Sequence, residues 1–375
     1  MDNHHNHFWW RFFPHKELTQ IYVSAALRSF AISLITLFVP LYLHIELGYS
    51  MQATLQFFIF YSGILALCTP LAAKFSSKFG LKHSILLSVP LYLGFILSLY
   101  LLPIWNFPLP LVAALLGSSV SFYWVGMHLV FHHASDKKHR GEEFGKRESI
   151  SILATMLGPL IGGLLIKFAG FRIVFVLVSL ILLFSALFLF LSKENYITYN
   201  FHFRSLFDRN HWQYPLVFMA RGMRTMANGV IWPLFIFVIL NDYLSLGFVG
   251  FLLSGLSAVL VFIMGKFSDH TSKRKIILWT TGFESVSWFL RAFVSTVGQV
   301  MGITVFGGIT YGAMESPLGA LEYDSANGTI APYFVGREMY ICLGRILLLT
   351  FILMIDNLAG GFILNGFVNL LVLLF

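Results

Sequence analysis

Charge is what this sequence has least of. Lys, Arg, Asp and Glu make up 11% of its 375 residues, where a soluble domain carries about 25%. Such a chain has too little charge to cover a water-facing surface. Cysteine is scarce as well. Cys68 and Cys342 lie about half a chain apart in apolar runs, which excludes a disulfide framework and a Cys-based metal site. No Walker-type glycine loop, serine nucleophile elbow or HExxH pair occurs, which argues against an ATP-driven pump and the common hydrolases. No enzymatic activity is expected. The opening MDNHHNHFWWRFFPHKELTQ lacks a basic segment leading into an apolar one and a small-residue cleavage site, so the first span is read as a retained anchor.

What the chain has is hydrocarbon: 57% hydrophobic residues, 40 Phe and a mean hydropathy of +0.78. It reads as an all-α integral membrane protein with the lipid bilayer as its partner. A spanning helix needs about 20 apolar residues. That ruler gives twelve transmembrane helices, near 20–44, 52–73, 83–103, 109–132, 148–168, 172–191, 212–240, 246–266, 275–296, 298–321, 337–356 and 358–375. The first and seventh contain Pro40 and Pro233, which mark kinks. The last ends in LLVLLF without a basic flank.

The basic residues gather on one side. They fill the N-terminal tail (Arg11, Lys16), the loops after spans 2, 4 and 8, and the central linker, while Lys167 and Arg172 face the other side. By the positive-inside rule both termini are cytoplasmic. The same asymmetry explains the net charge of +8 without a nucleic-acid partner.

A repeat runs through the chain. LRSFAISLITLFVPLYL and ARGMRTMANGVIWPLFI each place an Arg ahead of a Pro-Leu-aromatic triplet: Arg28 with Pro40, Arg221 with Pro233. AKFSSKFGLKHSILL pairs with GKFSDHTSKRKIILW, and Arg147-Glu148 with Arg337-Glu338, at nearly the same offset. Six spans per copy leave both copies in one orientation, a parallel repeat about the membrane normal. The expected divisions are a cytoplasmic tail (1–19), an N-terminal six-helix bundle (20–191), a cytoplasmic linker (192–211) and a C-terminal six-helix bundle (212–375).

These segments resemble the major facilitator superfamily. GKFSDHTSKRK follows the family's loop signature through Gly265, Asp269, Lys273 and Arg274. AKFSSKFGLKH keeps Lys78, Gly80 and Lys82 but has Ser77 at the acidic position. Gly158-Pro159-Leu160-Ile161-Gly162-Gly163 resembles the family's antiporter-associated ending in span 5. The resemblance implies two bundles rocking about a central site. It also implies a cytoplasmic latch in which Asp269 faces Arg147 and Glu148. Ser77 and Gly80 would face Arg337 and Glu338 in the same way, a serine still accepting hydrogen bonds from helix N-terminal amides. Gating is therefore assigned to these seven residues.

Five arginines fall inside spans, where a guanidinium costs about 3 kcal/mol on insertion scales. Arg28 and Arg221 lie about 13 Å into their helices at 1.5 Å per residue, Arg224 is one turn on, and Arg345 is similarly deep. Two readings stand open. Arg28, Arg221, Arg224 and Arg345 recognise an anionic group together with Trp124 and His128, or they are structural partners of Glu284 and Glu315. These two carboxyls are also the candidate proton carriers. Arg291 is placed at the outer interface. His128 and His132, four apart, have metal-binding spacing with His133, as do His4, His5, His7 and His15 of the tail. The tail has no fixed geometry, however, and no resident metal or cofactor is expected.

The reading is a secondary active transporter in the plasma (inner) membrane, a monomer, proton-coupled, that exports a small organic anion or amphipathic compound. The alternatives are a non-transporting receptor or assembly factor on the same scaffold, or a metal-ion transporter.

Overall fold

The computed structural model describes residues 16–134, 140–191, 199, 201–204, 214–325 and 330–375. All regular structure among them is helical. The first helix, α1, begins at Lys16, breaks at 37–38 ahead of Pro40, and finishes in a π-turn, Tyr42–Glu46. Then come α2 (Met51–Phe79), α3 (Leu81–Trp105) and α4 (Leu109–Ala134). One helical run, Arg140–Leu191, is broken at Gly170, whose φ of 78° only glycine adopts readily. Its apolar stretch of 40 residues would be about 60 Å of helix, twice the thickness of a bilayer. The break therefore separates two crossings, α5 (140–169) and α6 (171–191).

The second half opens with α7 (Pro215–Leu240), whose centre is a π-turn at Ala227–Ile231 beside Pro233. It continues with α8 (Tyr243–His270), α9 (Lys273–Arg291), α10 (Val297–Asp324), α11 (Ile330–Ile355) and α12 (Leu358–Asn369). Nine of the described helices are long and apolar enough to cross a membrane. With the Gly170 break, α9 and the shorter α12, the described chain has twelve helical legs. A π-turn adjoins proline in both α1 and α7. Proline lacks the amide hydrogen an α-helix needs, and a wider turn is one way to accommodate it.

The α9 helix shows why hydropathy alone misses a span. Its polar residues point inward: Thr281, Glu284, Ser285 and Ser287 are buried, while Leu278, Trp279, Phe283, Val286 and Leu290 lie on the surface. This is the inverse of a soluble amphipathic helix and suits a lipid surround.

Packing repeats with a shift of six helices. The contact of α1 with α5 is repeated by α7 on α11, α2 on α4 by α8 on α10, and α3 on α4 by α9 on α10. The halves meet along α2–α11 and its counterpart α8–α5. Glycine permits the second approach: a Cβ on Gly163 would stand 2.4 Å from Tyr243 O, and one on Gly247 2.3 Å from Pro159 O.

Two observations revise boundaries read from hydropathy. The α10 helix runs past 321 to Asp324, and α11 begins at Ile330 rather than 337. In both places the sequence ruler stopped at a charge that the fold buries. Arg291 is also not an interface residue: it is 1% exposed, with its guanidinium over Trp288 and Trp232. Indole faces replace water there.

Candidate functional site

The C-terminal half holds a ladder of buried charge. Arg221 and Arg224 lie one turn apart on α7, and Glu315 and Glu322 two turns apart on α10, so each pair shares a helix face. Arg221 donates from Nη1 to Glu322 Oε1 at 2.5 Å and from Nη2 to Glu315 Oε1. Arg224 Nη2 reaches Glu315 Oε2 at 3.1 Å. From α11, Arg337 donates through Nε and Nη2 to Glu322 Oε2 at 2.9 and 2.7 Å, and through Nη1 to Glu338 Oε1. Both oxygens of Glu315 and of Glu322 are thus filled by guanidinium donors. Removing one partner of a buried pair leaves an uncompensated charge and costs about 3–5 kcal/mol.

The ladder ends on the other half. His128 of α4 lies with Nε2 3.4 Å from both Glu338 Oε1 and Arg337 Nη1, and with Nδ1 2.7 Å from the Tyr323 hydroxyl of α10. Its ring is stacked between Trp124 and Phe334, at centroid distances of 5.3 and 5.0 Å. His128 is therefore a pin between the bundles.

Arg28, the repeat partner of Arg221, has a different setting. It is 3% exposed. Nη2 donates to Ser119 Oγ at 3.3 Å, and the guanidinium carbon lies 4.3 Å from the Tyr123 ring centroid and 5.5 Å from that of Tyr92. Nε and Nη1 have no hydrogen-bond partner, and no carboxylate pairs with it among the described residues. Packing shows what was exchanged. Gly117 rests against Tyr61 O and Ile64, and Gly308 against Leu253 O and Leu256. These glycines are equivalent and stand 191 positions apart. On that register the place of Glu315 is taken by Trp124.

Arg345 resembles Arg28 more than its neighbours in the ladder. Its Nη1 donates to the Tyr61 hydroxyl of α2 at 3.3 Å, across the halves, and its Nε has no partner. Two turns along α11, Ile352 lines a cleft of about 190 Å³ with Leu55 and Gln52 of α2. That cleft opens at the end of the molecule opposite the basic loops. Glu284 of α9 is fully buried and accepts from Trp288 Nε1 at 3.0 Å and from the Thr310 hydroxyl. No Lys or Arg forms an ion pair with it among the described residues.

The gating residues divide. The side chains of Asp269, Arg147 and Glu148 lie outside the described residues. Gly80 closes α2 with φ 95°. Arg337 and Glu338 belong to the ladder. Ser77 makes no hydrogen bond to the start of α11: its hydroxyl turns back to Lys74 O, and Arg337 is already occupied by carboxylates. The serine with a long-range contact is Ser76, at 2.5 Å from the Tyr199 hydroxyl, which in turn donates to Ala73 O. Burial pushes the Tyr199 hydroxyl up to about 12. Nearby Phe201, 1% exposed, packs with Ala73, Val125, Ala331 and Val335 and plugs the seam between α2, α4 and α11. At the opposite end Lys167 pairs with Asp242 at 2.9 Å, and the Tyr243 hydroxyl donates to Glu46 at 2.8 Å.

Sequence reading overlooked Glu322, Tyr323 and the tyrosines around Arg28 and Arg345. The seven-residue spacing of Glu315 and Glu322 was the available signal for the first. Tyrosine in a membrane span gives no comparable signal.

The Major Facilitator Superfamily sequence pattern matches residues 21–201. An uncharacterized Bacillus subtilis (strain 168) protein, YqgE, is 24% identical over 364 residues, covering 91% of this chain and 83% of its own. Among solved structures, the E. coli fucose:proton symporter FucP superposes with a TM-score of 0.70 at 12% identity, over 95% of this chain and 96% of that one. The human organic anion transporter MFSD10 (TETRAN) superposes with a TM-score of 0.69 at 12% identity, over 96% and 98%.

Proposed function

From a chain with the major facilitator superfamily's fold, and with that superfamily's sequence pattern across its first half, we propose a secondary transporter that moves a small organic anion by alternating access. The observation that carries the anion is Arg28. Its guanidinium is buried, lacks a counter-ion among the described residues, and leaves two donors unused. A buried cation in that condition is stabilised by an incoming carboxylate or similar group, which accepts in bidentate fashion. Arg221 and Arg224 already have acceptors in Glu315, so they serve as framework.

The two halves part and rejoin at their opposite ends. At the basic end, cytoplasmic by the positive-inside rule, His128 and the Phe201 plug join them. At the other end Gly163 and Gly247, with Lys167–Asp242, do so. Proton coupling is supported by Glu284, a buried carboxyl held by neutral donors alone among the described contacts, whereas Glu315 is a fixed counter-ion. Export is supported by Gly158-Pro159 through Gly163, the sequence that brings α5 against α1 and α8.

Reconstituted protein in proteoliposomes with an imposed pH gradient tests this. Flux of a labelled aromatic carboxylate that responds to the gradient and is lost in Arg28→Gln is the expected result. Binding without flux would leave a receptor, and chemical change of the solute would leave an enzyme.

A further inference from the structure

Among the described residues, the charges set within the transmembrane helices do not balance. Arg28, Arg221, Arg224, Arg291, Arg337 and Arg345 are set among the helices, against Glu284, Glu315, Glu322 and Glu338. Six described guanidiniums face four described carboxylates, and His128 adds nothing in its neutral form. The arginines of the ladder are paired, and Arg291 lies over Trp288, which donates to Glu284. Arg28 and Arg345 are left without an ion pair among the described residues. Their nearest contacts are alike. Each makes one 3.3 Å hydrogen bond, to a hydroxyl, each lies near a tyrosine ring, and each keeps at least one N–H without an acceptor.

They also sit on opposite bundles, Arg28 on α1 and Arg345 on α11. Ser119, which accepts from Arg28, lies two residues from Gly117, which rests against the Tyr61 backbone, and the Tyr61 hydroxyl accepts from Arg345. In a medium of low dielectric, two uncompensated cations raise the energy of the empty protein, and a ligand of matching charge removes that cost.

We propose that the substrate is a dianion, with one acidic group received by Arg28 and the other by Arg345. This deepens the organic-anion reading and rests on it. A ligand so held bridges the two halves, and its length is set by the separation of the two arginines across Ser119 and Tyr61. A monoanion satisfies one arginine and leaves the other unpaired.

Thermal stabilisation of the purified full-length protein decides the matter, at a pH where both acids are ionised. The probes are succinate, glutarate, adipate and terephthalate, each paired with its monoanionic analogue, such as butyrate or benzoate. Dianions of one preferred length are expected to bind at least about tenfold more tightly than their monoanionic partners, a difference of about 1.4 kcal/mol. Arg28→Gln and Arg345→Gln should each abolish the preference, so that mono- and dianions bind alike, and Arg28→Lys should retain part of it. Equal binding of monoanions and dianions by the wild-type protein overturns the dianion and leaves the organic-anion reading standing. A preference that persists in both Gln variants also overturns it. Failure of every anion to stabilise the protein overturns both. The wild-type series needs no variant to fold.

Discussion

The two halves of this protein share a scaffold and treat the same arginine differently. In the second half Arg221 is saturated by Glu315 and Glu322, which also hold Arg224 and Arg337. In the first half Arg28 meets a serine and two tyrosine rings. Trp124 stands where the first carboxylate would be. The helix contacts and the glycine approaches repeat between the halves, and the charge content differs. One copy uses Arg221, Arg224 and Arg337 to hold α7, α10 and α11 together. The other keeps an arginine uncommitted.

The comparison is broken most sharply by stability. Glu322→Ala removes the acceptor shared by Arg221 and Arg337 and is expected to cost about 3–5 kcal/mol, read as a large drop in melting temperature. Arg28→Gln removes a charge that has no counter-ion among the described residues and should leave the melting temperature unchanged or raised. Equal destabilisation by the two would erase the distinction. The Trp124→Glu variant gives the first half the carboxylate of the second. It is expected to neutralise Arg28 and weaken anion binding by about tenfold, or roughly 1.4 kcal/mol, in the thermal-shift series.

A smaller effect is expected at the pin between halves. His128→Leu loses its contacts to Glu338 and Tyr323, worth about 1 kcal/mol net, and should increase labelling of a cysteine placed at the α4–α11 seam. The smallest concerns the opposite end. Asp242 is partly desolvated, which disfavours its charge, but Lys167 and the Ser245 amide and hydroxyl outweigh this and hold the carboxyl below its ordinary range. A depressed carboxyl contributes stability above its unfolded pKa and loses it as pH falls through the folded one. Asp242→Asn should thus cost at most about 1 kcal/mol for a half-exposed pair. The difference from wild type should disappear in acid below the ordinary Asp range.

Much of the fold was legible because lipid imposes a simple rule on sequence. Long apolar runs, basic loops on one side and the Arg28/Arg221 repeat suffice for the helix count and the parallel halves. The site was less legible for a physical reason. Hydropathy treats a charged residue as the edge of a span, yet Glu322 and Arg337 solvate one another and extend α10 and α11 beyond that edge. Deep arginines could be recognised as special, but which of them are paired depends on three helices that are distant in sequence. The tyrosine surroundings of Arg28 and Arg345 come from α2, α3 and α4, and their residues look like ordinary membrane aromatics until the helices pack.

The π-turn at Ala227–Ile231 has a consequence for what α7 presents. Along an uninterrupted α-helix, Trp232 would be about 80° around the axis from Arg224, eight residues earlier. A wide turn absorbs one residue, so the eight behave as seven and the two side chains come within about 20° of one stripe. A single helix can therefore offer a cation to α10 and, about two turns away, an indole to the guanidinium of Arg291.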